Sequence, residues 1–382
     1  MSGIRTAHSR ATEARAAAHE FHDRVWQPDP ALVVFFCSSG YDLDVMAREM
    51  SRAFAGVPVV GCTTAGEFGP SGYREHSLSG ASLPAGACTA VAGHLDNLQG
   101  LAMREGRAFA QGLLQELEGH APAAGPQNTF AFLLIDGLSL REELATHVFQ
   151  DALGTLPLVG GSAGDDLRFA RTWVFHDGAF RTDNAVLALC HTTYPFRTFK
   201  AQHFVAMEER LVVTEADAAH RVVKEINGRP AVEEYARVVG VPVAELTSER
   251  FAAAPVVTVI DGLEYVRAIQ RANPDGSLTF FCAIDEGLVL RVAHGGDLVA
   301  SLERTFERLR EELGAPQLVV AFDCILRHLE MTREDLAERV GEILRRNNAV
   351  GFSSYGEQFG GLHVNQTFTG IAFGEPSRER DG

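Results

Sequence analysis

The stretch VVGCTTAGEF (59–68) recurs as LVGGSAGDDLRF (158–169) and as AVGFSSYGEQF (349–359). Each copy runs from Val-Gly through a Ser/Thr pair or a single Ser to Gly-Glu or Gly-Asp, and the middle copy reads as one residue shorter. Taken alone, the first copy invites a story about Cys62 as a nucleophile. The repeats argue against it, because the position of Cys62 is Gly161 in the second copy and Phe352 in the third. Neither Cys62 nor Ser353 has a histidine base nearby in the sequence, so an enzyme using Cys62 is the weakest reading. A phosphate cradle is also disfavoured, since a strand rather than a helix follows and an acid stands where a lysine would be needed. The structural reading is a strand-end turn. Glycine permits close backbone approach, and Thr63, Thr64, Ser162, Ser353 and Ser354 can satisfy turn amides. Glu67, Asp165 and Glu357 can accept backbone N–H groups or pair with an arginine. In its functional form, the three strand ends converge and line a ligand pocket.

The repetition extends outward from the motif. ALVVFFCSSGYDLDVMAREMSRAFAGVP, TFAFLLIDGLSLREELATHVFQDALGTLP and QLVVAFDCILRHLEMTREDLAERVGEILRRNNA each give an apolar strand, a loop and a helix-period segment. HSLSGASLP, RTWVFHDGAF and NQTFTGIAFG follow the motifs as further strands. The unit is β-α-β-β, and the fold class is α/β with α+β elements: repeated units form mixed sheets covered by helices, in two associated halves. The boundaries read as an Ala-rich, partly frayed helical extension over 1–29, two repeats in 30–195, and a second half over 196–374. That half comprises an inserted α+β segment (196–316) and the third repeat. The polar tail, 375–382, reads as disordered. Within the insert, Asn227-Gly228 and NPDG (273–276) are turn signals, and a helix starts at Pro230.

The chain has 382 residues, 46% of them hydrophobic, and a net charge of −16, ample for a large core and unfavourable for nucleic acid or an anionic membrane surface. No apolar run is long enough to span a bilayer and the start lacks a secretory h-region, so a cytoplasmic location is expected. The six cysteines form no C-x-x-C pair and lie mostly in strand-like runs, as buried free thiols would. His19 and His22 share a helix face, but in a polar segment that reads as solvated. No histidine–carboxylate cluster has zinc-enzyme spacing.

The Gly-Glu turns, together with VVTEADAAHRVVKEINGRPAVEEYARVVG, DGSLTFFCAIDEG and VGFSSYGEQFGGLHVNQTFTGIAFG, resemble FIST-domain proteins, an N half followed by a C half, over about 30–374. GCTTAGE, DGLSLREEL, GGSAGDD, FDCILRHLE and GEQFGGLHVNQTF resemble the bacterial nitric-oxide-sensing branch, the NosP-type proteins. That resemblance implies non-covalent haem b, nitric oxide as signal, and coupling to a histidine kinase or a cyclic-di-GMP synthase or phosphodiesterase. Such two-component and cyclic-di-GMP pathways control biofilm; a homodimer is left open.

Haem needs one strong axial ligand in an apolar, aromatic wall. His203 is the first candidate, placed by period-2 alternation on a face with Phe199, Ala201, Val205 and Met207. His176, bordered by Trp173 and Phe175, and His363, after the third motif, are the others. The competing expectation is a haem-free sensory module for a small molecule such as an amino acid, with its carboxylate on turn amides and its amine on Glu67 or Glu357.

Overall fold

The computed structural model describes residues 3–260 and 262–376, so the tail expected to be disordered lies outside the described residues from 377 onward. The chain forms helix-covered mixed sheets in two halves that meet between Thr192 and Phe196.

The repeat begins one strand and one helix earlier than the β-α-β-β pattern. The first unit comprises Arg5–Ser9, helix Ala14–Val25, Pro30–Ser38, helix Leu43–Ala53, Val59–Thr64, the hairpin Glu67–Gly69/Gly72–Arg74, and Leu78–Pro84. The second runs through Cys88–Asp96, helix Met103–His120, Thr129–Ile135, helix Glu142–Leu153, Leu158–Ser162, the hairpin Val174–His176/Ala179–Arg181, and Asn184–Thr192. The third has Phe196–Ala201, helix Leu298–Leu313, Leu318–Cys324, helices Ile325–Arg333 and Ala337–Arg346, Ala349–Ser354, the hairpin Glu357–Phe359/Leu362–Val364, and Phe368–Phe373. Two segments assigned to the insert, the strand from Phe196 and the helix from Leu298, therefore belong to the third unit. The insert proper spans the strands from Phe204–Asp217 to Val289–Gly295, an antiparallel sheet with its own core around Tyr235 and Phe251.

The N-terminal segment is not a frayed helix. Arg5–Ser9 pairs with Leu78–Pro84 at the sheet edge, and the helix after it buries Ala17, Ala18, Phe21 and Val25 against that sheet. Its alanines let the helix approach the strands closely.

Within each unit the central strand and the glycine-motif strand are parallel, as in Val34↔Val60, Leu133↔Gly160 and Val320↔Val350. The glycine is required there. A Cβ on Gly61, Gly160 or Gly351 would lie 2.6, 2.1 or 1.8 Å from the carbonyl oxygen of Phe35, Leu133 or Ala321 on the neighbouring strand.

The outer side of each motif strand is completed by a hairpin from another unit. The second unit's hairpin pairs with the first motif strand (Val174↔Cys62), the third's with the second (Glu357↔Gly161), and the first's with the third (Glu67↔Phe352). The exchange closes a cycle. RTWVFHDGAF is thus a donated hairpin, and the strand that closes the second unit is Asn184–Thr192. The inner faces of the three sheets meet in one core containing Phe36, Cys62, Phe132, Phe322 and Phe352, while helices cover the outer faces. Burial on both faces explains why ALVVFFC, TFAFLLI and QLVVAF are continuous apolar runs and do not alternate. Among the described residues no helix is long and apolar enough to cross a membrane.

Candidate functional site

The three glycine-motif turns interlock at one end of this core. Ala65 donates to the carbonyl of Ser353 and Ser353 to that of Gly66; Gly164 donates to Thr63; Ser162 donates to Gly356 and Tyr355 to Ser162, at 2.8–3.1 Å.

The acids in the motif do two different jobs. Glu67 is fully buried and accepts the Thr64 hydroxyl, the Ser77 amide at 3.0 Å and the Ser77 hydroxyl at 2.6 Å. Glu357 is its equivalent, accepting Ser354 and both Thr367 donors. Burial pushes each carboxyl up to about 8, against the pull of these donors. These two acids pin their own turns. In the second unit the equivalent sheet position is Val174. Three positions separate Thr64 from Glu67 and Ser354 from Glu357, but eleven separate Ala163 from Val174, so the middle copy carries a longer loop, correcting the reading that it is shorter. Asp165 organises that loop. Its carboxylate accepts the amides of Phe169, Ala170 and Arg171 at 2.7–2.9 Å and the Tyr355 hydroxyl at 2.5 Å.

Beside this loop lies a cavity of about 240 Å³. Leu138, Glu142 and Phe169 of the second unit, Arg221 and Phe281 of the insert, and Ile325, Tyr355 and Asn365 of the third unit contribute to its wall, so both halves of the chain build it. Arg221 is buried and donates to Glu142 at 2.8 Å, Glu143 at 2.6 Å and the Phe281 carbonyl at 2.7 Å. Burial pushes Glu142 up to about 7 despite Arg221. The Oδ1 of buried Asn365 has no hydrogen-bond partner.

The residues expected to hold haem lie apart. The strand carrying His203 breaks after Ala201 and resumes at Phe204, so the alternating apolar face does not form: Phe199 and Ala201 are buried, whereas Val205 and Met207 are exposed. His203 is buried with both ring nitrogens engaged, Nε2 lying 2.9 Å from Glu330 and Nδ1 3.1 Å from Arg327, which in turn donates to Asp323 at 2.6 Å. His176 sits on the donated hairpin with its Nδ1 3.0 Å from that of His94. Phe175 packs on Phe35 and Phe180, and Trp173 lies under the Arg171 guanidinium. Phe199 packs on Phe368. His363 is buried, pushed down to about 4 by desolvation, with Nδ1 3.2 Å from Gln358 and Nε2 without a partner. Its ring is enclosed beneath Gly356, where a Cβ would come within 2.2 Å of it. As they stand, these positions do not form a haem pocket. Among the described residues no group of three or more metal-ligating side chains comes together. All six cysteines are buried and unpaired, and Cys62 faces the central core.

Two juxtapositions escaped the sequence pattern. His328 lies 3.2 Å from the hydroxyl of fully buried Ser353, twenty-five residues away. The cavity residues Phe169, Arg221 and Asn365 share no motif. The one signal was Tyr355, an aromatic residue inside the third glycine turn where its counterparts are small.

Residues 31–229 match the FIST N domain and residues 231–360 the FIST C domain, which are sensory domains of signalling proteins. The chain belongs to the FIST family. No curated protein matches it. Among solved structures it is similar to a chorismatase, at 8% identity over 97% of this chain and 98% of that one with a TM-score of 0.35. It is also similar to a cyanuric acid hydrolase, at 11% identity over 97% and 99% with a TM-score of 0.37.

Proposed function

We propose that this protein senses a small organic molecule bound in the cavity between the insert and the strand ends of the second and third units. The carrying observation is that both FIST halves wall one cavity lined by the ion-paired and buried Arg221 and Glu142 and by Asn365, whose Oδ1 has no partner among the described residues. At about 240 Å³ the space falls below the roughly 300–1,000 Å³ typical of drug-sized ligands, which favours a metabolite on the scale of an amino acid. Charged groups of both signs suit a ligand with donors and acceptors. The turn acids Glu67 and Glu357 are not the groups that meet it, since their oxygens are spent on their own turns. A ligand touching both halves shifts whichever arrangement it fits better, and that difference is the signal passed on. The resemblance to NosP-type proteins points to a histidine kinase or a cyclic-di-GMP enzyme as the receiver.

The test is a thermal-shift screen of metabolite-sized compounds on the full chain. Hits should lose most of their stabilisation in Leu138→Phe, which fills the cavity; hits indifferent to that change would locate binding elsewhere and sink the reading. Nitric-oxide sensing through haem b on His203 rests on the resemblance alone, and requires His203 to release Glu330 or Arg327. A Soret band after haem reconstitution, lost in His203→Ala, would replace the first reading with this one.

A further inference from the structure

We propose that the ligand is a planar aromatic molecule carrying an N–H or O–H donor, held face-on by Phe169 and read at its donor by Asn365. The inference rests on the cavity being the ligand site and narrows what enters it.

Phe169 is the first observation. A phenylalanine 44% exposed is an unused apolar face, and this one lines the cavity. Its backbone is held there against preference. Asp166, Leu167 and Phe169 have φ of 56°, 63° and 49°, left-handed values that non-glycine residues adopt at a cost and that cluster at functional sites. Asp165 maintains the conformation by collecting three successive amides, and the same carboxylate takes the Tyr355 hydroxyl. The loop and the aromatic ring of the third unit are thereby locked together, with Phe169 stacked on Tyr355 at 4.6 Å and 19°. The loop is the long one peculiar to the second unit, so nothing in the repeat itself calls for it.

The second observation is a further ring at the cavity wall. Phe169 and Phe281 lie 6.4 Å apart with their planes 30° from parallel. With Tyr355 they give the cavity three aromatic side chains in its wall, a surface that suits a flat ring. The third is chemical. Asn365 contributes to the cavity wall and is 1% exposed, and its Oδ1 is an acceptor with no donor among the described residues. Buried acceptors are ordinarily satisfied, and a ligand N–H or O–H would complete this one. The cavity's size suits one ring or two fused rings.

Isothermal titration calorimetry of the full chain with indole, 1-methylindole and leucine tests this. Indole should bind, and 1-methylindole, lacking the donor, at least tenfold more weakly. Phe169→Ala should weaken indole tenfold or more while the unligated chain still melts cooperatively, and Asn365→Leu should erase the difference between the two indoles. If Asn365→Leu does not fold, the ratio measured on the wild type reads the same contact. Absence of indole binding, equal affinity for the two indoles, or an unaffected Phe169→Ala overturns the proposal. Leucine binding that Leu138→Phe abolishes, without indole binding, would reject the aromatic class and leave the cavity as the ligand site. Affinity for every probe unchanged in Leu138→Phe would reject the site as well.

Discussion

At the scale of single residues, the glycine turn is governed by what it excludes and by what it buries. Gly61, Gly160 and Gly351 are fixed by a neighbouring carbonyl, and Cys62 fills a core position that Gly161 and Phe352 fill elsewhere. The glycines were legible in the sequence because a steric demand repeats with the fold. The acids were legible in two of three places: Asp165 looked equivalent to Glu67 and Glu357, but hydrogen bonding assigns it to a different loop. Glu67 and Glu357 also carry a pH dependence. The folded protein keeps a proton on each up to about pH 8, whereas an unfolded carboxyl loses it near 4.5. Their contribution is therefore fully present below pH 4.5 and is lost as pH rises toward 8. Glu67→Gln removes one such group. We expect it to melt close to the wild type at pH 5 and about 3 °C or more higher at pH 9, taking about 2–4 °C per kcal/mol for a large domain. A difference that stays constant from pH 5 to 9, followed by circular dichroism, would show that Glu67 does not titrate there.

At the scale of elements, the central strands and their helices were readable, because burial on both faces writes an unbroken apolar run and a helix face writes a 3.6 period. The hairpins were not. Their strands are three residues long and pair with a different unit, so no local pattern announces them. Arg5–Ser9 was missed for a similar reason, as RTAHS has the composition of a polar edge. The joint between the insert and the second unit was equally hidden, since Arg221 lies far along the chain from Glu142 and Glu143. Arg221→Met would leave the buried Glu142 and the partly exposed Glu143 without their counter-charge, at roughly 3–5 kcal/mol. Because Glu142 already titrates near 7, we expect the loss to be smaller at pH 5 than at pH 8. Hydrogen exchange at residues 218–226 should accelerate in the variant before the sheets of the three units respond. Uniform acceleration across the chain would mean that Arg221 supports the whole fold and not this docking.

At the scale of the whole molecule, two halves and a threefold repeat coexist. The first half contains two units and the second contains one unit plus the insert, but neither half holds all the strands of its own sheets. The first half lends Glu67–Gly69/Gly72–Arg74 to the third unit and receives Glu357–Phe359/Leu362–Val364 on its second motif strand. Fragments 1–193 and 194–382 should therefore fail to give cooperative melting separately and recover it when co-expressed, with co-elution on size exclusion. A first fragment that melts cooperatively as a monomer would contradict this interdependence. The same exchange has a consequence for synthesis on the ribosome. When Leu158–Ser162 emerges, the strand that covers its open side is still about two hundred residues from being made, a wait of about 10–40 s at ordinary translation rates. For that interval the nascent chain exposes an unpaired parallel edge, the kind of surface that invites association with other chains. Chaperone dependence in the cell, and aggregation of chains stalled before residue 357, follow from where a three-residue strand is encoded.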